Sequence, residues 1–408
     1  MKKKYLTLLL PISALLLSSC TNNPQENSPK PTYIEIDEDY EEPEIPASSD
    51  VVINVNDVDL DKFETHTEQQ YAYINSGYNK VNSFASGKQE LSKPREIEIV
   101  VGDSKQEKNL FYIEISENKD FKQSKIYNED KNYISLTNLK INTEYFYRGA
   151  DSSSALKTAK TYSFKTADTK IRNISINGVT NVRDIGGYSS KLGGTVRQGL
   201  YYRGGRFNVT DEKTTIDQTS TYKQDITEEG YITAVEELGI KSEIDLRMNE
   251  SHYVTTYAHE YGMITNETFP DIEYYPYPLN WTVSNMMKQE KETIGNIFKL
   301  LAKPEVYPVY CHCNIGTDRT GMCTYLLGTL LGINQEDLYR DYLFSNFGNI
   351  NNSRDISKVI NVYQKTLLEY KNYNLYQDVR SYLNECGVSD EELDSIVSIF
   401  LDLEVKGA

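Results

Sequence analysis

The fold is decided by Val309-Tyr310-Cys311-His312-Cys313-Asn314-Ile315-Gly316-Thr317-Asp318-Arg319-Thr320-Gly321. The apolar residues that open this stretch, with those from Val306 onward, are typical of a short buried strand. The apolar residues 322–331, which end at Gly332, predict a helix. A strand, a tight loop and a helix in this order give the context that an anion-binding loop requires.

The spacing between Cys313 and Arg319 indicates what the loop binds. Five intervening residues let the backbone curl so that its N–H groups converge on one point, where a phosphate fits with its acceptor oxygens. Arg319 closes the ring with a two-pronged contact, Gly316 permits the turn, and the positive end of the following helix points at the same place. These features also favour a thiolate, so we expect the pKa of Cys313 to be lowered and its sulfur to act as a nucleophile.

The order His-Cys-x5-Arg-Thr-Gly resembles the signature of the cysteine-dependent phosphatases of the protein tyrosine phosphatase superfamily. Further blocks resemble, in the same order, a bacterial family of secreted tyrosine phosphatases with dual or triple specificity; these blocks are residues 181–188, 200–205, 238–247 and 341–346. The resemblance covers roughly residues 172–405. It implies an α/β catalytic domain over residues 170–408 with a central, mostly parallel sheet.

The resemblance also implies roles for the residues of the loop. Cys313 would be the nucleophile, Arg319 the phosphate clamp, and Thr320 a donor to the cysteine sulfur, while His312 would orient the loop rather than act as a base. The residues expected to line the phosphate site are His312, Asn314, Ile315, Gly316, Thr317, Thr320 and Gly321.

The general acid is less sharply marked in the sequence. The Trp-Pro-Asp motif of the classical tyrosine phosphatases does not precede the loop, and Trp281 has no Asp at the corresponding place. A carboxyl group must protonate the leaving oxygen and later activate water. Asp318, inside the loop, is the first candidate and Asp245 the second, whereas Asp184 is a candidate for bracing the fold.

One departure from the family pattern bears on the substrate. The relatives usually carry Lys where this chain has Thr317, and that Lys is associated with highly charged substrates such as phosphoinositides. The sequence therefore favours a tyrosine or dual-specificity protein phosphatase that acts through a cysteinyl-phosphate on a phosphoprotein or small phosphate ester. A phosphoinositide phosphatase and a non-catalytic, phosphate-binding surface lipoprotein are the alternatives.

Residues 80–168 have a different pattern, with short alternating or apolar runs separated by Asn, Asp, Gly and Ser, which is typical of a β-sandwich. The stretch from Leu139 to Tyr145 resembles a fibronectin type III domain, in which such a Tyr forms a corner through its hydroxyl. A spacer or adhesion module is the favoured interpretation. Residues 51–82 either add a strand or belong to a tether.

The amino terminus predicts a secreted, lipid-anchored bacterial protein. Three Lys residues, an apolar run and Ser18-Ser19-Cys20 form a signal peptide over residues 1–20 whose end resembles a lipobox, with Cys20 lipidated; a plain cleaved signal peptide is the alternative. Residues 21–50, acidic and rich in Pro, predict a disordered tether. The protein would then be held at the outer face of the cell membrane.

Composition excludes some partners. The 408-residue chain has a formal net charge of −17, which argues against nucleic acid as a partner. The five Cys residues are not spaced as a disulfide framework or a zinc site, so no metal or organic cofactor is expected. Cys311 and Cys323 are either buried apolar residues or partners of a reversible disulfide with the nucleophile, and Cys386 is expected in the core.

Overall fold

The computed structural model describes residues 51–53, 61–101, 111–129, 131–207, 226–247 and 271–401. The predicted signal peptide, the lipidated Cys20 and the tether lie outside these residues. None of the helices in the described part of the chain has both the length and the apolar character needed to cross a bilayer.

The described part of the chain contains both helices and strands, which confirms the prediction of an α/β protein. The strands are β1 Val51–Ile53, β2 Ile97–Val101, β3 Phe111–Ser116, β4 Ser124–Glu129, β5 Tyr133–Leu136, β6 Glu144–Ala150, β7 Tyr162–Lys165, β8 Arg172–Asn173, β9 Arg183–Asp184, β10 Tyr201–Gly204, β11 Ser242–Asp245, β12 Glu273–Pro276 and β13 Val309–His312.

The α-helices lie almost entirely in the second half of the chain. They are α1 Glu68–Ile74, α2 Glu228–Ile232, α3 Met286–Gln289, α4 Lys291–Leu301, α5 Asp318–Leu330, α6 Gln335–Phe344, α7 Lys365–Leu368, α8 Leu375–Glu385 and α9 Asp390–Phe400. Short 3₁₀ segments occupy Tyr78–Ser83, Ala155–Thr158, Pro304–Val306 and Ser345–Phe347, and π-helical segments occupy Thr233–Glu237 and Val359–Gln364.

A six-stranded sheet in the order β12-β11-β13-β10-β9-β8 organises the second half of the protein. The strands β12, β11, β13 and β10 are parallel, and β9 and β8 continue the sheet in antiparallel pairing. Because successive side chains of a strand point to opposite faces, Val309 and Cys311 enter the large core packed by the helices, whereas Tyr310 enters a smaller core on the other face. Because β10, β11, β12 and β13 run in the same direction, their carboxyl ends lie at one shared edge of the sheet.

Two antiparallel sheets form a separate group, one with the order β1-β2-β5 and the other with the order β4-β3-β6-β7. Their buried side chains share one core, in which the Phe63 ring contacts the Phe164 ring edge-on and Phe164 stacks on Tyr145. The hydroxyl oxygen of Tyr145 accepts a hydrogen bond of 2.8 Å from the backbone N–H of Lys140. This bond ties the start of β6 to the turn before it.

The chain path between the two groups departs from a domain boundary at residue 80. Strand β1 already pairs with β2, so the antiparallel group begins before that residue. Residues 64–93, named here the crossing segment, lie between these two strands in the sequence, yet Tyr73, Val81 and Ala85 are buried in the large core beside the six-stranded sheet. The antiparallel sheets and the part built on the six-stranded sheet are thus interlaced rather than consecutive.

Candidate active site

The phosphate loop lies between β13 and α5, at the edge where the parallel strands end. Cys313, directly after β13, is 3% exposed. Burial alone raises the pKa of its thiol, but the guanidinium of Arg319, the hydroxyl of Thr320 and the backbone N–H groups of Thr320 and Ile315 outweigh burial and lower the pKa to about 7. The loop therefore holds a large fraction of this cysteine as thiolate at neutral pH.

Arg319 is fixed by the neighbouring strands. Its Nη1 donates to the carbonyl oxygen of Leu246, just after β11, at 3.0 Å, and to that of Leu279, after β12, at 3.4 Å. These contacts leave Nε and Nη2 as the fork that a phosphate requires. The Arg319 guanidinium is therefore oriented toward the phosphate position before a substrate binds.

The outer side of the loop is bound through its carbonyl groups. The Gly316 oxygen accepts from Arg203 Nη2 at 2.7 Å, and Asn181 Nδ2 donates to the oxygens of Ile315 at 2.9 Å and Gly316 at 3.2 Å. Gly316 has a φ of +68°, and a Cβ there would lie 2.2 Å from the carbonyl oxygen of Gly204. Only glycine allows this approach, which turns the loop carbonyls outward and the N–H groups inward.

A buried ion network lies beneath the loop. Asp341 accepts from Arg183 Nε at 2.7 Å and from Arg203 Nη1 at 2.7 Å, and Arg183 Nη1 also donates to Asn181 Oδ1 at 2.6 Å. Two guanidinium groups share one carboxylate, so the network keeps positive charge close to the phosphate position. Arg183, Arg203 and Asp341 were not predicted as site residues; the available signal was charged residues within segments that otherwise bury their side chains.

Asn314 is fixed by a third arginine. Arg206 Nη1 donates to the Asn314 side-chain oxygen at 2.5 Å, and the Arg206 backbone N–H donates to the Asn314 carbonyl oxygen at 3.2 Å. The first residue after the nucleophile is therefore held at both its side chain and its backbone.

His312 and Asp245 belong to a second buried network. His312 Nδ1 lies 2.9 Å from the carbonyl oxygen of Cys313, which can only accept, so Nδ1 carries the proton; Nε2 lies 2.6 Å from Glu243 Oε1. Burial lowers the pKa of His312, but the carboxylates of Asp245 and Glu243 outweigh it and raise that pKa. Both ring nitrogens are engaged, so His312 orients the backbone at the nucleophile.

Asp245, the second candidate for the general acid, is fully buried and bound by Arg247. Arg247 Nη2 donates to its Oδ2 at 2.7 Å and Nε donates to both oxygens at 3.0 Å. Burial raises the pKa of Asp245, but Arg247 and His312 outweigh it and hold the pKa far below its ordinary value. Glu243, Asp245 and His312 offer ligand atoms within 4.8 Å of one another. Glu243 is hydrogen-bonded to His312 and Asp245 to Arg247, so the group forms an ion-pair network.

Asp318, the first candidate, is the first residue of α5 and its side chain is one quarter exposed. The hydroxyl of Tyr342 donates to its Oδ1 at 2.9 Å, and Arg354 and Lys358 approach its two oxygens. Gly321 permits this arrangement, because a Cβ there would lie 2.8 Å from the Tyr342 ring. Of the two candidates, Asp318 is the one that solvent reaches.

Thr317, the two further cysteines and Asp184 are the other residues that the sequence singled out. Thr317 is buried and its carbonyl oxygen accepts from the Gly321 N–H at 2.6 Å, at the first turn of α5. Cys311 and Cys323 are buried free thiols that hydrogen-bond to each other. Asp184 accepts from Arg172 at 2.7 Å and from the N–H groups of Gly186 and Gly199, a set of contacts that braces β8 and β9.

This fold and this loop define a phosphatase that uses a cysteine. The model of a family described as "Tyrosine phosphatase family" matches residues 174–402, which is more than half of the chain. The chain belongs to this tyrosine phosphatase family, and the match confirms the phosphatase family predicted from the loop.

Two solved structures resemble the chain at low identity. The core catalytic domain of the PP-IP phosphatase SIW14 from S. cerevisiae, in complex with citrate, is 14% identical, covers 45% of this chain and 95% of its own, and has a TM-score of 0.27. TpbA from P. aeruginosa is 12% identical, covers 49% of this chain and 86% of its own, and has a TM-score of 0.24. Neither likeness adds to the family match, and no curated protein matches the chain.

Proposed function

We propose that this protein hydrolyses phosphotyrosine in proteins through a phosphocysteine intermediate on Cys313. The observation that carries the proposal is the buried Cys313, whose pKa is lowered to about 7 inside a loop closed by Arg319. A thiolate at the base of such a loop attacks phosphorus in line with the leaving oxygen. The S–P bond forms while the P–O bond breaks, and water then cleaves the S–P bond to release phosphate and return the thiolate.

Charge stabilisation in this reaction comes from groups that are already in place. The phosphoryl oxygens face the inward N–H groups of the loop and the fork of Arg319, which Leu246 and Leu279 hold from behind. Arg203, bound to Asp341 and to the Gly316 carbonyl, fixes the loop from the outside. Little reorganisation is required when the transition state forms, because donors and loop are fixed beforehand.

The test is a substrate panel with the full chain. Phosphotyrosine peptides are expected to be hydrolysed faster than phosphoserine peptides and phosphoinositides, in the presence of a chelator as in its absence. Faster turnover of phosphoinositides would instead support a phosphoinositide phosphatase. A folded chain that binds vanadate but hydrolyses none of these esters would support the non-catalytic lipoprotein and end the enzyme proposal.

We assign the general acid to Asp318. Its partly exposed position beside Arg319 supports this role, whereas Asp245 is enclosed with Arg247. In Asp318→Asn, kcat for phosphotyrosine is expected to fall by about 10²- to 10³-fold, because the tyrosyl oxygen needs a proton to leave. The loss for para-nitrophenyl phosphate, whose phenolate leaves unaided, is expected to be far smaller.

The matched control for this variant is Asp355→Asn. Asp355 is an exposed carboxylate that accepts from the Ser357 N–H at 2.8 Å and lies outside the loop, so both substrates should keep their rates. Equal losses for the two substrates in Asp318→Asn would show that Asp318 supports the loop and would remove it as the acid.

We infer a membrane-anchored enzyme with a fibronectin type III-like module. The strand orders β1-β2-β5 and β4-β3-β6-β7, with the Tyr145 corner bond, support the module. The anchor rests on the Ser18-Ser19-Cys20 sequence after the apolar run. In Cys20→Ala the protein is expected to leave the membrane fraction; retention of the variant in that fraction would contradict a lipid at this residue.

A further inference from the structure

Three charged side chains meet at the amino-terminal end of α5. Lys358 Nζ lies 3.3 Å from Asp318 Oδ1, and Arg354 Nε and Nη2 each lie 3.4 Å from Asp318 Oδ2. These distances exceed the 2.7–2.9 Å of tight charge-assisted hydrogen bonds. All three side chains are between about one quarter and two fifths exposed. Arg354 Nη1 also donates to the carbonyl oxygen of Asn352 at 2.8 Å. The contacts of the two cations with Asp318 are therefore loose, and both cations are partly open to solvent beside the loop.

The other groups that face Asp318 fix its position. Tyr342, on α6, donates its hydroxyl to Oδ1 at 2.9 Å, and Thr317, on the loop, donates to Oδ2 at 3.5 Å. Tyr363 donates to the Asp318 carbonyl oxygen at 2.9 Å. With Arg354 and Lys358, these are the polar groups that contact Asp318 in the described part of the chain. Asp318 stays in place if the two cations move away.

This arrangement conflicts with the role of an acid in the unoccupied enzyme. Burial raises the pKa of Asp318, but Lys358 and Arg354 outweigh burial and lower the pKa below its ordinary value. A general acid must be protonated when the leaving oxygen departs, and the protonated fraction falls as pH rises above the pKa. The two cations therefore make Asp318 harder to protonate while they stay beside it.

We propose that Arg354 and Lys358 form a second anion subsite that selects a phosphotyrosine flanked by acidic residues. This inference rests on the proposed function. Carboxylates of the peptide bind the two cations and weaken their hold on Asp318, which takes a proton from solvent. Asp318 then gives that proton to the tyrosyl oxygen as the P–O bond breaks.

The position of the subsite supports a peptide. The cations lie next to Asp318 and so on the side of the leaving group, where the residues adjacent to the phosphotyrosine must pass. The protein also has a formal net charge of −17, which repels an acidic peptide elsewhere on its surface. Arg354 and Lys358, beside the phosphate loop, supply the attraction for an acidic peptide that the rest of the surface lacks.

The experiment compares two phosphotyrosine peptides of equal length, one with Glu and one with Gln on each side of the phosphotyrosine. With the full chain, kcat/KM is expected to be about three- to tenfold higher for the Glu peptide, the range that two partly exposed ion pairs supply. The alkaline fall of kcat is expected at higher pH for the Glu peptide than for the Gln peptide.

The double variant Arg354→Gln with Lys358→Gln is expected to lose the preference for the Glu peptide. Its alkaline fall with the Gln peptide should shift to higher pH, because the cations no longer lower the pKa of Asp318. The matched control is Lys288→Gln with Arg380→Gln, which removes Lys288–Glu369 and Arg380–Asp390 pairs elsewhere in the same half of the protein. This control should keep the preference.

Two results would overturn the subsite. One is an equal rate for the two peptides in the parent chain; the other is a preference that survives in the double variant. Turnover of both peptides at one rate would leave the proposed phosphatase intact and end only this inference. If no peptide is hydrolysed, calorimetry with the Cys313→Ser chain still tests the subsite, since tighter binding of the Glu peptide must disappear when Arg354 and Lys358 are replaced.

Discussion

Cys313→Ser is expected to lower kcat for para-nitrophenyl phosphate by roughly 10⁴-fold or more, the scale seen when a covalent nucleophile is removed. The loop lowers the pKa of the Cys313 thiol to about 7, whereas an alcohol in the same place stays protonated and is a poor nucleophile. The loop N–H groups and Arg319 remain, so vanadate should still bind. Steady-state kinetics and calorimetry on the same preparation measure both quantities.

The control for this variant is Cys386→Ser. Cys386 follows α8, is a buried free thiol, and is absent from the loop contacts. The same replacement there tests whether loss of a buried sulfur, rather than loss of the nucleophile, explains the result. Activity near the parental level in Cys313→Ser would place the nucleophile elsewhere and end the proposed mechanism.

A chain that begins at residue 170 is expected not to fold, although it contains the whole family match. Such a chain lacks the crossing segment, so the core loses Tyr73 and Val81, each worth about 1.5–3 kcal/mol of burial. Hydrogen bonds of about 1 kcal/mol each also disappear, including those from Asn173 Nδ2 to Gln70 and to the Ser92 carbonyl. Together these losses approach the 5–15 kcal/mol that separates folded from unfolded domains.

Circular dichroism and thermal denaturation test this expectation against a chain that begins at residue 51, which should melt like the full protein. A milder variant, Tyr73→Ala in the full chain, is expected to lower the free energy of unfolding by about 3–5 kcal/mol. Cooperative melting of the chain from residue 170 at the parental temperature would show that the crossing segment is dispensable.

The phosphate loop was predictable because its geometry is local. The separation of Cys313 and Arg319, the glycine at Gly316 and the flanking strand and helix all lie within one short stretch, and the family match supports the class of enzyme that they indicate. The residues that hold the loop were less accessible. Arg203 and Asn181 reach the Gly316 carbonyl from more than 100 positions away, a pairing that no spacing rule encodes.

The crossing segment was not predicted because it carries no periodic signal. Its buried residues Tyr73, Val81 and Ala85 come from a short helix, a 3₁₀ turn and a loop, so neither a helical nor a strand repeat appears. The segment also leaves the antiparallel sheets after β1 and returns for β2. Such a path is set by tertiary packing, which local propensity does not contain.

The interlaced chain path restricts which segments of this protein can be exchanged with other proteins by gene recombination. In sequence, the regions before and after β8 look like separate domains. A recombination site just before β8 would nevertheless give a fragment that lacks Gln70 and Ser92, the partners of Asn173. A recombination site ahead of β1 carries both sheets and the phosphate loop as one inheritable block. The antiparallel sheets and the six-stranded sheet with its phosphate loop are therefore expected to be inherited together.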